Sequence, residues 1–382
     1  MRVPLLAVRP VMLALLLLLA GAVGRVMPAS AASRAGNDPS PAASFSVSGD
    51  LMGVAAVSAS NAWAVGAASG GKTLIAHWDG TAWKRVPSPG PAGSMLFRVA
   101  ATSASNAWAV GCSGCLGTGV PEPLILRWNG TAWKQVASPG LADSSLDGVA
   151  ATSASNAWAV GGTRGKTLIE RWNGTAWKRV PSPTPGTSAG LSGVAATSAS
   201  NAWAVGSTIS GPSERTLIER WNGTAWKQVA SPSPGVSKGL GAGLGSVAVT
   251  SAGNAWAVGG IGCGCGPGLS LTEWWNGKAW KQVASPSPGG GANLSGVAVV
   301  SAHTAWAVGD TGSGDGPTKT LVLSWNGTAW KKVPAPSPGA SASLEAVAVT
   351  SSRNAWAVGA TSAVNHGSPT TLILRWNGTA WK

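Results

Sequence analysis

Few residues in this chain have the type and spacing to do chemistry. There are three histidines, His77, His303 and His366, 13 acidic residues, four cysteines and no tyrosine among 382 residues. The histidines stand at unrelated places and read as surface substitutions rather than metal ligands. Without tyrosine, neither a tyrosine nucleophile nor a copper-tyrosyl radical can form. A hydrolase using two carboxylates is compatible with the acidic content, but no spacing singles out a pair. The stretch from Asp310 to Asp315 has the outline of a calcium loop, yet glycines stand where acidic ligands are needed, so no metal is expected there. The cysteines come as Cys112-Ser-Gly-Cys115 and Cys263-Gly-Cys265. In an exported chain they are disulfide candidates. A local bridge between Cys112 and Cys115 is feasible, a bridge between Cys263 and Cys265 closes a very small ring, and four thiolates around one zinc form the sharper alternative. No cofactor is implied.

The elements that hold these residues repeat. Asn-Ala-Trp-Ala-Val-Gly, with Thr304-Ala305 at one copy, places tryptophans at 63, 108, 158, 203, 256, 306 and 356. The spacings are 45, 50, 45, 53, 50 and 50 residues. Within each unit, illustrated by 191–231, a run of small and β-branched residues leads through a tight turn into Ala202-Trp203-Ala204-Val205-Gly206. A variable Gly/Ser loop follows, then Thr216–Trp221, the turn Asn222-Gly223-Thr224-Ala225, and Trp226–Ala230. Asn-Gly between apolar runs is a strong hairpin signal, on the expectation of a turn with positive φ at both central residues. Ser-Pro-Ser-Pro-Gly closes the unit as an extended connector. Four short strands per 45–53 residues, with no helical periodicity, predict an all-β fold, a seven-bladed β-propeller of four-stranded antiparallel blades. The blades are expected at about 47–95, 96–145, 146–190, 191–243, 244–293, 294–343 and 344–382.

Alternation puts Trp203 and Val205 on one face and Ala202 and Ala204 on the other, so a large face meets a small one on the next blade. All tryptophans except Trp274 occupy three positions per repeat and read as core. The rival is a sugar-stacking lectin, for which only the outermost ring of each unit is a candidate. The innermost strand carries Gly, Ala and Val because large side chains do not fit where blades converge.

At Trp-Ala-Val-Gly, extended to Gly161-Gly162 and Gly259-Gly260, and through Arg171-Trp172-Asn173-Gly174 to Trp177-Lys178, the sequence resembles the kelch-type propeller repeat over about residues 47–382. It departs in having tryptophan for tyrosine and a shorter hairpin. Sialidase Asp-box and photosystem-assembly-factor-like propellers are the second resemblance. Either implies the fold rather than an activity.

Residues 1–32 read as a signal peptide: Arg2 and Arg9, the apolar run Val11–Val23, then Ala29-Ser30-Ala31. The run is too short to span a bilayer, so the protein is expected to be secreted rather than an integral membrane protein. Residues 33–43 read as a linker and 44–382 as the propeller. The net charge of +14 falls to +11 once Arg2, Arg9 and Arg25 leave with the leader. Much of the rest is one lysine per repeat, Lys84, Lys134, Lys178, Lys227, Lys281, Lys331 and Lys382, read as protection of an outer edge rather than a specific nucleic-acid surface. Asn-Gly-Thr at 129, 173, 222, 326 and 377 also matches a glycosylation acceptor, but the turn explains it. The chain stops at Trp381-Lys382, inside the last strand, so either Phe45–Ser48 completes blade 7 or the chain is truncated.

Two turns per unit barely change, while the loops between strands two and three, and between blades, vary. Binding is expected on the variable face, whose polar members include Arg164, Lys166, Glu214, Arg215, Asp310, Asp315 and His366. The expected function is a monomeric, secreted, non-catalytic module for an extracellular glycan, peptide or cell-envelope protein. The alternatives are a structural or surface-display repeat protein and, third, a carbohydrate-active enzyme.

Overall fold

The computed structural model describes residues 45–117, 119–262, 268–312, 316–362 and 368–382. Six sheets of four antiparallel strands and one of three, each in sequential order, form the seven blades. In blade 4 the strands are Ser188–Ser198, Asn201–Ser210, Ser213–Trp221 and Trp226–Gln228. Every innermost strand packs on those of both neighbouring blades, and Gly49–Ser58 of blade 1 meets Ser341–Ser351 of blade 7, closing the ring.

Each interface between blades is the same small core. Trp158, Val160 and Ile169 of blade 3 pack against Ala202, Ala204, Leu217, Trp221 and Trp226 of blade 4. Trp203 and Val205, on the other face of blade 4, pack against Ala255 and Ala257 of blade 5. The large-against-small alternation expected from sequence is therefore what joins the blades. Trp203 lies 4.8 Å from Trp275 and stands edge-on to Trp280 at 5.2 Å, the geometry that ring quadrupoles favour. The trio recurs around the ring, ending with Trp356 against Trp78 and Trp83.

Glycine after Ala-Val is a steric requirement. A Cβ on Gly206 would collide with the carbonyl oxygen of Gly190 on the paired strand. The outer hairpin turn, Asn222–Ala225, is a four-residue loop as the sequence allowed, but only the glycine has positive φ, 101° at Gly223, where both central residues were expected to. The preceding asparagine instead uses its side chain: Asn222 Oδ1 accepts from the N–H groups of Thr224 and Ala225 and from the Thr224 hydroxyl. This Asx arrangement lets Asn avoid the left-handed region.

Blade 7 is completed from both ends of the chain. Trp381 bridges Trp376, and Arg375 and Lys382 exchange two backbone hydrogen bonds. At the far end of the same strand, Val47 N–H donates to Thr371 Oγ1 at 3.0 Å, Thr371 N–H donates to Val47 C=O at 2.9 Å, and Ser48 bridges Thr370. In other blades the connector serine fills this place, as where Thr216 N–H donates to Ser233 Oγ. Phe45–Ser48 is thus the closing strap. Val47→Pro removes one strap donor and is expected to cost about 1–2 kcal/mol while accelerating hydrogen exchange at the Thr371 amide. Unchanged exchange there would show that the strap does not pair.

The seven lysines after the outermost tryptophans are exposed at the outer side of their blades.

Candidate functional site

The sequence Leu-x-x-Val in each innermost strand contains a β-bulge after the leucine. The strand register skips Met52, Phe97, Asp147, Ser192, Gly245, Ser295 and Glu345, one per blade. A bulge re-aims its side chain, and here six of the seven line one cavity of about 650 Å³. Its wall continues through Ser207 and Glu214 of blade 4, the glycine-rich backbone of Gly241–Gly262 in blade 5, and Asn293 in blade 6. These are the starts of first strands and the ends of second strands, so the cavity lies in the channel mouth on the variable-loop end.

The residue after the bulge is Gly, Ser or Ala in every blade but the second, where it is Arg98. Innermost backbones nearly touch there: a Cβ on Gly53 would lie 2.8 Å from the Arg98 Cα and one on Gly296 2.9 Å from the Ala346 Cα. A large side chain therefore has only the channel to enter. Arg98 donates to the carbonyls of Met52 at 2.6 Å and Phe97 at 3.0 Å, and to that of Ser295 in blade 6 at 3.4 Å. It ties three blades together through backbone oxygens.

Two carboxylates, Glu345 and Asp147, lie within its field. Burial pushes Asp147 up to about 6, against the opposing pull of the Ser145 hydroxyl and Arg98. Burial, reinforced by Glu345, pushes Asp310 up to about 6 and raises Asp50. Burial lowers Arg98, with Glu345 and Asp147 opposing. Among the described residues, none of Asp50, Asp147, Glu214, Asp310 and Glu345 has a lysine or arginine nitrogen within 4.0 Å.

Of the residues expected on the variable face, Glu214 lines the cavity, leaning over Gly241 and Gly243. Asp310 lies inside a strand (Thr304–Thr311), paired with Asn293 and Thr320, and within the field of Glu345. Arg164 is a turn residue with φ of 49°, 3.7 Å from Asp143. Lys166 and Arg215 are exposed strand residues paired with Thr163 and Thr208. None of these last three lines the cavity. Asp315, His366, Cys263 and Cys265 lie outside the described residues. Cys112 and Cys115 are joined by a disulfide, with Cα atoms 5.9 Å apart. No metal-ligating group of three or more side chains occurs among the described residues.

Sequence reasoning missed Arg98, Asp147 and Glu345. The signal was present: aligning the seven Leu-x-x-Val segments puts two acids and one arginine in columns otherwise dominated by small residues.

The lectin reading of the tryptophans is not supported by their burial. The outermost rings are 4–8 % exposed, Trp83 being the most exposed and Trp226 among the least. Indole packing between blades consumes them as sugar platforms. His77 is likewise no surface substitution. It stacks on Trp63 at 4.2 Å in the position held by Arg127, Arg171, Arg220 and Arg375, whose guanidinium groups cover tryptophans of adjacent blades at 4.9–5.6 Å. Trp274, the one tryptophan outside the repeat pattern, occupies the same position over Trp256.

Solved structures of the same shape include YCF48 bound to D1 peptide. It is 16% identical, with a TM-score of 0.53 and coverage of 86% of this chain and 94% of that one. YCF48 from Cyanidioschyzon merolae is 17% identical, with a TM-score of 0.54 and coverage of 85% and 96%. A PL25 ulvan lyase bound to -[GlcA(1-4)Rha3S]- is 10% identical, with a TM-score of 0.56 and coverage of 88% and 96%. The likeness is one of fold. No protein-family model matches the chain, and no curated protein matches it in sequence. The propeller scaffold is thus shared with proteins of different roles, and its function must be argued from the channel mouth.

Proposed function

We propose that this propeller is a secreted, non-catalytic binding module that takes an extracellular ligand in the mouth of its central channel. One observation supports the reading above others. Seven blades repeat almost every core and turn residue, yet the bulge column, six of whose seven residues line the cavity, differs in nearly every blade, from Phe97 and Asp147 through Gly245 to Glu345. Concave sites with a few convergent polar groups are where ligands bind. A scaffold kept only for stability would not need a different residue at each bulge. Export is proposed from the leader-like residues 1–32. The two YCF48 neighbours favour the photosystem-assembly-factor-like resemblance over the kelch one. One neighbour is bound to a D1 peptide and another to an oligosaccharide, which supports testing both ligand classes.

The test is an array of glycans, polysaccharides and peptides probed with the purified protein at low and high salt. Saturable binding that survives high salt is expected. Signal confined to polyanions and abolished by salt would reduce the interaction to net charge, and no saturable signal would favour the structural or surface-display role.

A further inference from the structure

We propose that the channel-mouth cavity receives a lysine or arginine side chain of a bound peptide, an inference that rests on the binding reading above. Three features of the cavity lead there.

The first is its volume and lining. About 650 Å³ is ample for a peptide side chain and the flanking backbone, and the glycines at 241, 243, 245, 260 and 262 add no side chains to its lining. Phe97, Leu244, Ile261 and Leu294 supply apolar wall beside Asp147, Glu214 and Glu345. An aliphatic stem ending in a cation matches such a wall, because lysine and arginine lay their methylenes on apolar surface and present the charge at the tip. A sugar ring stacks best on flat indole or phenol faces. No tryptophan lines the cavity, and the chain has no tyrosine.

The second is the placing of charge. The chain carries 27 lysines and arginines against 13 acidic residues, but Arg98 is the one cationic residue lining the cavity among the described residues. Its donors are turned to the carbonyls of Met52, Phe97 and Ser295, not to the carboxylates. Asp147, Glu214 and Glu345 have no basic partner within 4.0 Å among the described residues. Asp147 and Glu345 are half-buried while Glu214 is exposed; part-desolvated, unpaired carboxylates such as the first two are costly and gain most from an incoming cation.

The third is the rest of the surface. A net charge of +14, or +11 without the leader-like segment, repels an extended polycation such as a polymer of glucosamine, while a single basic side chain within an otherwise neutral peptide escapes most of that repulsion.

The experiment measures binding of the full protein to peptide libraries in which one central position is fixed as Lys, Arg, norleucine or Glu, alongside glucosamine oligomers and neutral oligosaccharides. Lys- and Arg-fixed pools are expected to bind saturably and at least tenfold tighter than the norleucine and Glu pools. Asp147→Asn combined with Glu345→Gln is expected to erase that preference with the thermal midpoint held. The comparison of pools on the unmodified protein stands even if the double variant fails to fold. A preference for Glu or norleucine, or glucosamine oligomers binding in place of the peptides, would overturn the inference. So would silence of all these probes while the broader array finds another saturable ligand, an outcome that leaves the binding-module reading standing. Silence in both experiments would overturn the two together.

Discussion

Replacing Glu219 or Glu273 by leucine should stabilise the protein, by more at pH 8 than at pH 5. Both glutamates are fully buried in the face that blade 4 or blade 5 turns to its predecessor, and neither carboxylate oxygen has a hydrogen-bond partner among the described residues. Burial pushes both up to about 8 from an ordinary value of 4.5. The folded state therefore holds a proton that the unfolded chain releases above pH 4.5, so stability falls as pH rises from about 4.5 to about 8 and then levels. At roughly 1.4 kcal/mol per unit of separation, the penalty is on the order of 4 kcal/mol per site at pH 8. Leucine already occupies the equivalent position in blades 2, 6 and 7, as Leu126, Leu323 and Leu374, all buried. Leu126 there faces Trp63, Val65 and Ile75, just as Glu219 shares its interface with Trp158, Val160 and Ile169. Denaturant unfolding from pH 5 to 9 should show a variant–wild-type gap that widens with pH, and a gap independent of pH would reject the mechanism. Glu170 also lies at this position and is pushed up to about 7, but its carboxylate accepts from the Ser138 hydroxyl at 2.7 Å. Its replacement should gain less.

Trp203→Ala should cost about 3–5 kcal/mol, the usual range for emptying a buried tryptophan site. It removes at once the contacts with Trp275 and Trp280 and the stacking surface under Arg220. Circular dichroism is the suitable readout, since 22 tryptophans crowd any fluorescence signal. Trp274→Ala is the matched control. That ring is only half-buried, and a serine, Ser324, holds its place in blade 6, so its loss should cost much less. Equal losses from the two would contradict the division between interface core and outer stacking position.

The fold was legible because its determinants are periodic. Six spacings between seven repeated tryptophans count the blades, and Phe45–Ser48 ahead of blade 1 announces the strap. The hairpin turn was misjudged because Asn-Gly serves two geometries, and only the following Thr-Ala, whose N–H groups reach Asn222 Oδ1, decides between them. The site was harder to see because its determinants break the period. A bulge shifts which face a residue serves, so strand alternation alone does not aim Asp147 and Glu345 at the channel. Arg98 breaks a column of small residues, and only the geometry shows that its side chain has the channel to enter. Loop polarity was the weaker guide: Arg164, Lys166 and Arg215 are charged, but no strand aims them at the cavity.

The strap also sets the order in which the molecule can be finished. Val47 and Thr371 are 324 residues apart, so on a growing chain the earliest-made part of the ring waits for the last-made part before its hydrogen bonds form. Until then Trp78 and Trp83 have no Trp356 to cover them. The junction between first and last blades is thus the seam left open longest during synthesis, and the place where a chaperone or a second nascent chain finds bare indole.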